Sequence, residues 1–253
     1  MKLNYKKLGS GEPLIILHGL MGMLDNWLTP AKKLAEHFEV FLVDQRNHGH
    51  SPHSEEFNYQ VMMEDLLEFF DDVNLLEAHI LGHSMGGKTA MKFAQNYPEY
   101  VTKLIVADIA PKKYPVHHQL ILQGLRAIDL NKVSSRKEAD EILSQYVPEF
   151  AVRQFLLKNL YWKEKNKLAW RFNLDAIEKN IELIGEEIND RIFEKPALFL
   201  KGEKSDYITE EDYEMIKMLF PQSSIQVIPN AGHWLHAEQP ELFIKAVIDF
   251  LNS

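Results

Sequence analysis

The first stretch of the chain, as far as Ala107, alternates short apolar runs with longer amphipathic segments, and this constrains the fold more than any other feature. Leu14-Ile15-Ile16-Leu17, Val40-Phe41-Leu42-Val43, Ala78-His79-Ile80-Leu81 and Leu104-Ile105-Val106-Ala107 are apolar or nearly so at successive positions, which predicts strands buried on both faces. Between them, residues 27–38, Tyr59–Val73 and Met85–Asn96 read as helices. In the second, Val61, Met62, Leu66, Phe69 and Phe70 recur at helical spacing. Strands without a solvated face, joined by helical crossovers, predict a mostly parallel sheet covered by helices on both sides, an α/β architecture.

The alternation lapses over 112–194, which reads as helices and loops with no buried strand. It resumes with Ala197-Leu198-Phe199-Leu200 and Ile225-Gln226-Val227-Ile228, before a last helix over 240–251. An insertion of that length exceeds what one crossover needs. The expected organisation is a core domain of 1–111 and 195–253 with a helical cap, 112–194, inserted after the strand that ends at Asp108.

Composition narrows the function classes. The 253 residues contain no cysteine, which removes thiolate catalysis, disulfides and cysteine metal sites. A net charge of −9, without a basic stripe, disfavours nucleic acid. No apolar run reaches the ~18–20 residues of a membrane span, and Met1-Lys2-Leu3-Asn4-Tyr5-Lys6-Lys7 lacks the apolar core of a secretory signal. The expectation is a cytoplasmic protein, monomeric or a small homo-oligomer.

Gly82-His83-Ser84-Met85-Gly86 fits G-x-S-x-G between a predicted strand and a predicted helix, the context of a nucleophile elbow. The glycines leave room beside a sharp turn, the serine projects at the carboxyl edge of the sheet, and the helix N-terminus behind it favours developing negative charge. A serine hydroxyl needs a base. His233, in Asn230-Ala231-Gly232-His233-Trp234 after the last predicted strand, lies where such a fold delivers its histidine; His236, three residues on, reads as a capping or packing residue. The oxyanion needs two backbone N–H donors: Met85, after the nucleophile, and Leu20 in the loop His18-Gly19-Leu20-Met21-Gly22, with His18 as a brace. Asp44 with His48, His50 and His53 could suggest a metal, but no H-x-x-x-H or E-x-x-H spacing accompanies it, and neither metal nor organic cofactor is expected. Three aspartates compete to orient His233: Asp108 at a strand end, Asp206 in Gly202-Glu203-Lys204-Ser205-Asp206, and Asp175 in the cap.

These residues resemble the α/β-hydrolase esterase group that includes the bacterial esterase YbfF and the mammalian abhydrolase domain-containing protein 11. The resemblance spans nearly the whole chain. It rests on His18-Gly19-Leu20-Met21-Gly22 with Asp25-Asn26, on 44–51, on the elbow with its Gly86-Gly87-Lys88 extension, on Asp108-Ile109-Ala110-Pro111, on Trp170-Arg171-Phe172-Asn173-Leu174, and on 231–238. It implies hydrolysis of short acyl esters or acyl thioesters, with Asp108 as the acid. The usual superfamily acid would stand at 205, where this chain has Ser205. The expected reaction is acyl transfer to water from a small-molecule ester or thioester. Lactone or carbon–carbon bond hydrolysis on the same triad, and a ligand receptor on a hydrolase scaffold, are the rival readings. His18, Trp162, Trp170 and Trp234 are the expected substrate contacts.

Overall fold

The computed structural model describes residues 1–115, 118–165 and 167–253. In chain order the elements are β1 (Tyr5–Leu8), β2 (Pro13–Leu17), α1 (Leu28–Leu34), β3 (Glu39–Val43), α2 (Tyr59–Val73), β4 (Ala78–His83), α3 (Met85–Asn96) and β5 (Val101–Ala107). Next come α4 (Gln119–Ala127), α5 (Arg136–Leu143), α6 (Phe150–Leu157), β6 (Leu160–Glu164), β7 (Lys167–Trp170), α7 (Leu174–Lys179) and α8 (Ile181–Ile184). The chain closes with β8 (Ala197–Gly202), α9 (Tyr213–Leu219), β9 (Ser223–Ile228), α10 (Leu235–Glu238) and α11 (Pro240–Leu251).

Among the described residues, seven strands form one sheet in the order β1-β3-β2-β4-β5-β8-β9. All neighbours pair in parallel except β1, which runs antiparallel to β3. The period of two along each strand sorts the apolar residues into two layers. Leu14, Ile16, Val40, Leu42, Leu81, Ile105 and Leu198 pack with Trp27, Leu34, Phe243 and Val247 of α1, α11 and the turn before α1. Ile15, Leu17, Phe41, Val43, Ile80, Leu104, Val106 and Phe199 face α2 and α3.

Two features depart from the sequence expectation. β1 has no apolar run, because Tyr5-Lys6-Lys7 stands exposed on a sheet edge. The 112–194 segment, expected to be helices and loops, is not wholly helical: β6 and β7 form an antiparallel hairpin with Leu160 opposite Trp170. Most of β6 faces solvent, so it carries no buried-strand pattern. Leu125, Leu143, Leu156, Leu160, Phe172 and Ile177 of the 112–194 segment belong to the same apolar cluster as the α2/α3 layer, so this segment extends that core.

Candidate active site

β4 ends at His83 and α3 begins at Met85, which leaves Ser84 alone on the turn at φ 52° and ψ −119°. That left-handed backbone is costly for a residue with a side chain and persists only when its surroundings enforce it. Here a Cβ on Gly82 would stand 2.2 Å from the Gly86 carbonyl oxygen, and one on Gly86 2.3 Å from that of Leu17. Both glycines are therefore demanded by close backbone approach. The Ser84 N–H donates to Ala107 O at 3.0 Å, fastening the elbow to the end of β5.

Asp108, the next residue, also has a positive φ (54°), and its N–H donates to Leu200 O at 2.8 Å. Its carboxylate is wholly buried. Oδ1 accepts from the Gly202 N–H at 2.9 Å, and Oδ2 accepts from the Ser205 hydroxyl and from His233 Nδ1, the latter at 2.8 Å. Because an ionised carboxylate only accepts, Nδ1 carries the proton and Nε2 is left as the basic nitrogen. The other two aspartates are elsewhere. Asp175 is exposed and paired with Arg126 at 2.5 Å, and Asp206 is exposed beside Ser205. Ser205, at the usual superfamily acid position, thus hydrogen-bonds the carboxylate instead of supplying it.

Two further groups hold His233. The Tyr207 ring stacks on the imidazole, with centroids 4.0 Å apart and 19° between planes. His83 Nε2–H donates to the His233 backbone carbonyl at 2.8 Å, which ties the histidine loop to the residue before the nucleophile. Burial pushes the Tyr207 phenol up to about 12, so it stays protonated at neutral pH. His83 and Tyr207 escaped sequence reasoning. The x of G-x-S-x-G carries no required identity, and Tyr207 is recognisable only once its loop is placed against His233. His236, as expected, packs: it is buried and stacks on Trp27 at 4.0 Å.

The loop bearing Leu20 is braced on both sides. The Gln45 N–H donates to His18 Nε2 at 3.0 Å while Nδ1–H of the same ring donates to Gly19 O at 2.8 Å. The Met21 N–H donates to His48 Nε2 at 3.0 Å, and His48 Nδ1–H to Arg46 O at 2.9 Å. Both imidazoles must be neutral to accept these bonds, and burial brings His18 down to about 4 and His48 to about 3. Asp44 is spent in the same loop, accepting from the N–H groups of Leu24 (2.8 Å) and His50 (2.9 Å) and from Asn4 Nδ2 (2.7 Å). Among the described residues no group of three or more histidines and carboxylates is arranged to hold a metal.

Ser84 opens on a cavity of about 40 Å³ whose walls include Leu20, Met85, Tyr59, Ile109, Ile184 and Tyr207. Leu20 and Met85, the expected oxyanion donors, therefore share a cavity with the serine. The expected contacts His18, Trp162, Trp170 and Trp234 do not line it. His18 is buried in the loop brace, Trp162 is exposed on the hairpin, and Trp234 packs on Phe155. Trp170 stacks on Phe172 and lines a separate groove of about 320 Å³ with Arg126 and Asp175. That groove is larger, but Ser84 and His233 are not among its walls.

The family profile described as alpha/beta hydrolase fold matches residues 12–240. A solved structure of a marine microorganism esterase shares 50% identity at a TM-score of 0.96, covering 98% of this chain and 99% of its own. The sn-1-specific diacylglycerol lipase ABHD11 of Danio rerio is 38% identical, over 96% of this chain and 80% of its own length. The esterase YbfF of Escherichia coli K12 is 35% identical, over 96% and 94% respectively. With the elbow, the strand order and these relatives in agreement, the chain belongs to the alpha/beta hydrolase family.

Proposed function

We propose that Ser84, His233 and Asp108 form the acyl-transfer machinery of this ester-cleaving hydrolase. The observation that carries the reading is the 2.8 Å bond from His233 Nδ1 to a buried Asp108 carboxylate, with Ser84, on a strained strand-to-helix turn, fastened by its N–H to Ala107, the residue before Asp108. His233 Nε2 takes the Ser84 proton as Oγ attacks the ester carbonyl. The developing oxyanion is held by the Leu20 and Met85 N–H groups; Met85 is the first residue of α3, where an amide has no intrahelical partner. His233 then protonates the leaving alcohol, the acyl-enzyme forms, and water attacks it by the same route in reverse. Asp108 keeps the imidazole in the required tautomer and stabilises its cationic form. The cysteine-free composition favours the cytoplasm as the compartment.

The test is a panel of p-nitrophenyl esters, acetate through butyrate, and the matching acyl-CoA thioesters, run with wild type and Ser84→Ala. Turnover with an acyl-enzyme burst, abolished in Ser84→Ala, is expected. Tight ligand binding without turnover would overturn the reading in favour of a receptor on a hydrolase scaffold.

A further inference from the structure

The acyl-transfer machinery leaves the last residue of the Gly86-Gly87-Lys88 extension without a part. Lys88 is 1% exposed, an unusual place for an ammonium. From α3 its Nζ reaches across to three backbone carbonyls: Lys112 O at 2.8 Å, Gly185 O at 3.3 Å, and Glu186 O. The rings of Tyr114 and Tyr59 lie 4.8 Å and 5.8 Å from it. An ammonium has three protons to donate, and three carbonyls receive them. Lys88 therefore has no donor left for a substrate carboxylate. The three carbonyls and the two ring faces are what replace water around it.

The same cap turn is gripped twice more. The Tyr59 hydroxyl of α2 donates to Ile184 O at 2.7 Å, and the Tyr114 N–H donates to Gly185 O at 2.8 Å. Ile181, Ile184 and Gly185 are walls of the Ser84 cavity, as are Tyr59 and Lys88. The turn is thus a cavity wall hung from the core by side chains of α2 and α3.

We propose that Lys88 and Tyr59 are positioning residues that set acyl chain length, by pinning the 184–186 turn across the end of the cavity beside Ser84. The inference rests on the serine-hydrolase reading above. A volume of about 40 Å³, at roughly 10–15 Å³ per water-sized sphere, holds about three or four such spheres, a small space beside Ser84. Longer chains must push Ile184 outward, and the pins resist that movement.

The test measures kcat/KM on p-nitrophenyl acetate, butyrate, hexanoate and octanoate for the full chain and for Lys88→Met, Tyr59→Phe and Ile184→Ala. In wild type the value should fall at least tenfold between butyrate and octanoate. Lys88→Met and Ile184→Ala should each raise the hexanoate-to-acetate ratio at least tenfold. A merely structural role for Lys88 would depress all chain lengths together and leave the ratio alone; a ratio within twofold of wild type in folded Lys88→Met overturns the inference. Should Lys88→Met fail to fold, Tyr59→Phe decides, since it removes one hydroxyl: at least a threefold rise supports the pin, and an unchanged ratio sinks it. Labelling by a short alkyl fluorophosphonate separates the two layers. Wild type that is neither labelled at Ser84 nor active on any ester overturns the serine-hydrolase reading itself, whereas labelled, active enzyme with flat ratios in every variant overturns only the pin.

Discussion

His18, His48 and His236 are held neutral by burial, at about 4, 3 and 3. Unfolded, each returns to about 6.5. Below that value the unfolded chain binds protons that the native state refuses, so stability is full above pH 6.5 and declines as pH falls towards the native values. At pH 5 the loss is roughly 2 kcal/mol for each histidine, from about 1.4 kcal/mol per pH unit. Urea unfolding at pH 7 and pH 5 should show a lower midpoint at pH 5, and replacing His236 by Gln should shrink the difference. The carboxylate behind His233 allows a second expectation. Asp108→Asn leaves the shape but offers a donor where only an acceptor serves, so kcat should fall by up to about 10⁴. Asp206→Asn and Asp175→Asn, at exposed positions, should leave turnover near wild type. Ester assays on the three variants check this directly; a dead Asp206→Asn beside an active Asp108→Asn would reverse the assignment. Sequence reasoning left the three aspartates open because the choice depends on which loop lies over which strand end. His233 and Asp108 are 125 positions apart along the chain.

The strand-turn-helix unit around Ser84 is legible in the amino-acid sequence alone, because its glycines answer a local steric demand. Gly86→Ala would set a methyl 2.3 Å from the Leu17 carbonyl, and backbone on both sides prevents retreat. The expected cost is at or above the ~1–3 kcal/mol typical of overpacking, and thermal unfolding of the variant measures it. The buried strands β2 to β5 are legible for a similar reason, since unbroken apolar runs have few other destinations. β1 and the β6–β7 hairpin are not. Each is short and largely solvated; pairing with a neighbour, rather than burial of one face, makes it a strand.

The 112–194 segment meets the 44–51 loop through the Asn173 N–H, which donates to Asn47 O at 2.8 Å, and it meets the 18–22 loop as well. Asn159 Nδ2 donates to Met21 O at 2.8 Å, so a buried cap residue braces the loop that carries Leu20. Asn159→Ala should cost about 1–2 kcal/mol of stability and, by loosening that loop, lower kcat on p-nitrophenyl acetate more than it raises KM; equal losses in both would contradict the role. In the 44–51 loop, Arg46 forms a buried two-bond pair with Asp65 of α2, at 2.5 Å and 2.9 Å, and the Met1 ammonium adds a 2.7 Å bond to Asp65. Asp65→Ala strands a buried guanidinium and should destabilise the protein by about 3–5 kcal/mol in denaturant unfolding.

The amino-acid sequence determined the layered α/β core, the elbow at Ser84 and the loop that delivers His233, because each follows from local periodicity or from glycines at a tight turn. The tertiary structure decided which aspartate faces His233, what Ser205 does in place of an acid, and which side chains wall the cavity. Those outcomes depend on contacts between segments far apart in the chain, and no local pattern encodes them. The four residues expected to touch substrate were chosen by residue type and region, and none lines the cavity. Of the residues that do line it, Ile181, Ile184 and Gly185 are held there by bonds from Tyr59 of α2 and Lys88 of α3 to the 184–185 backbone.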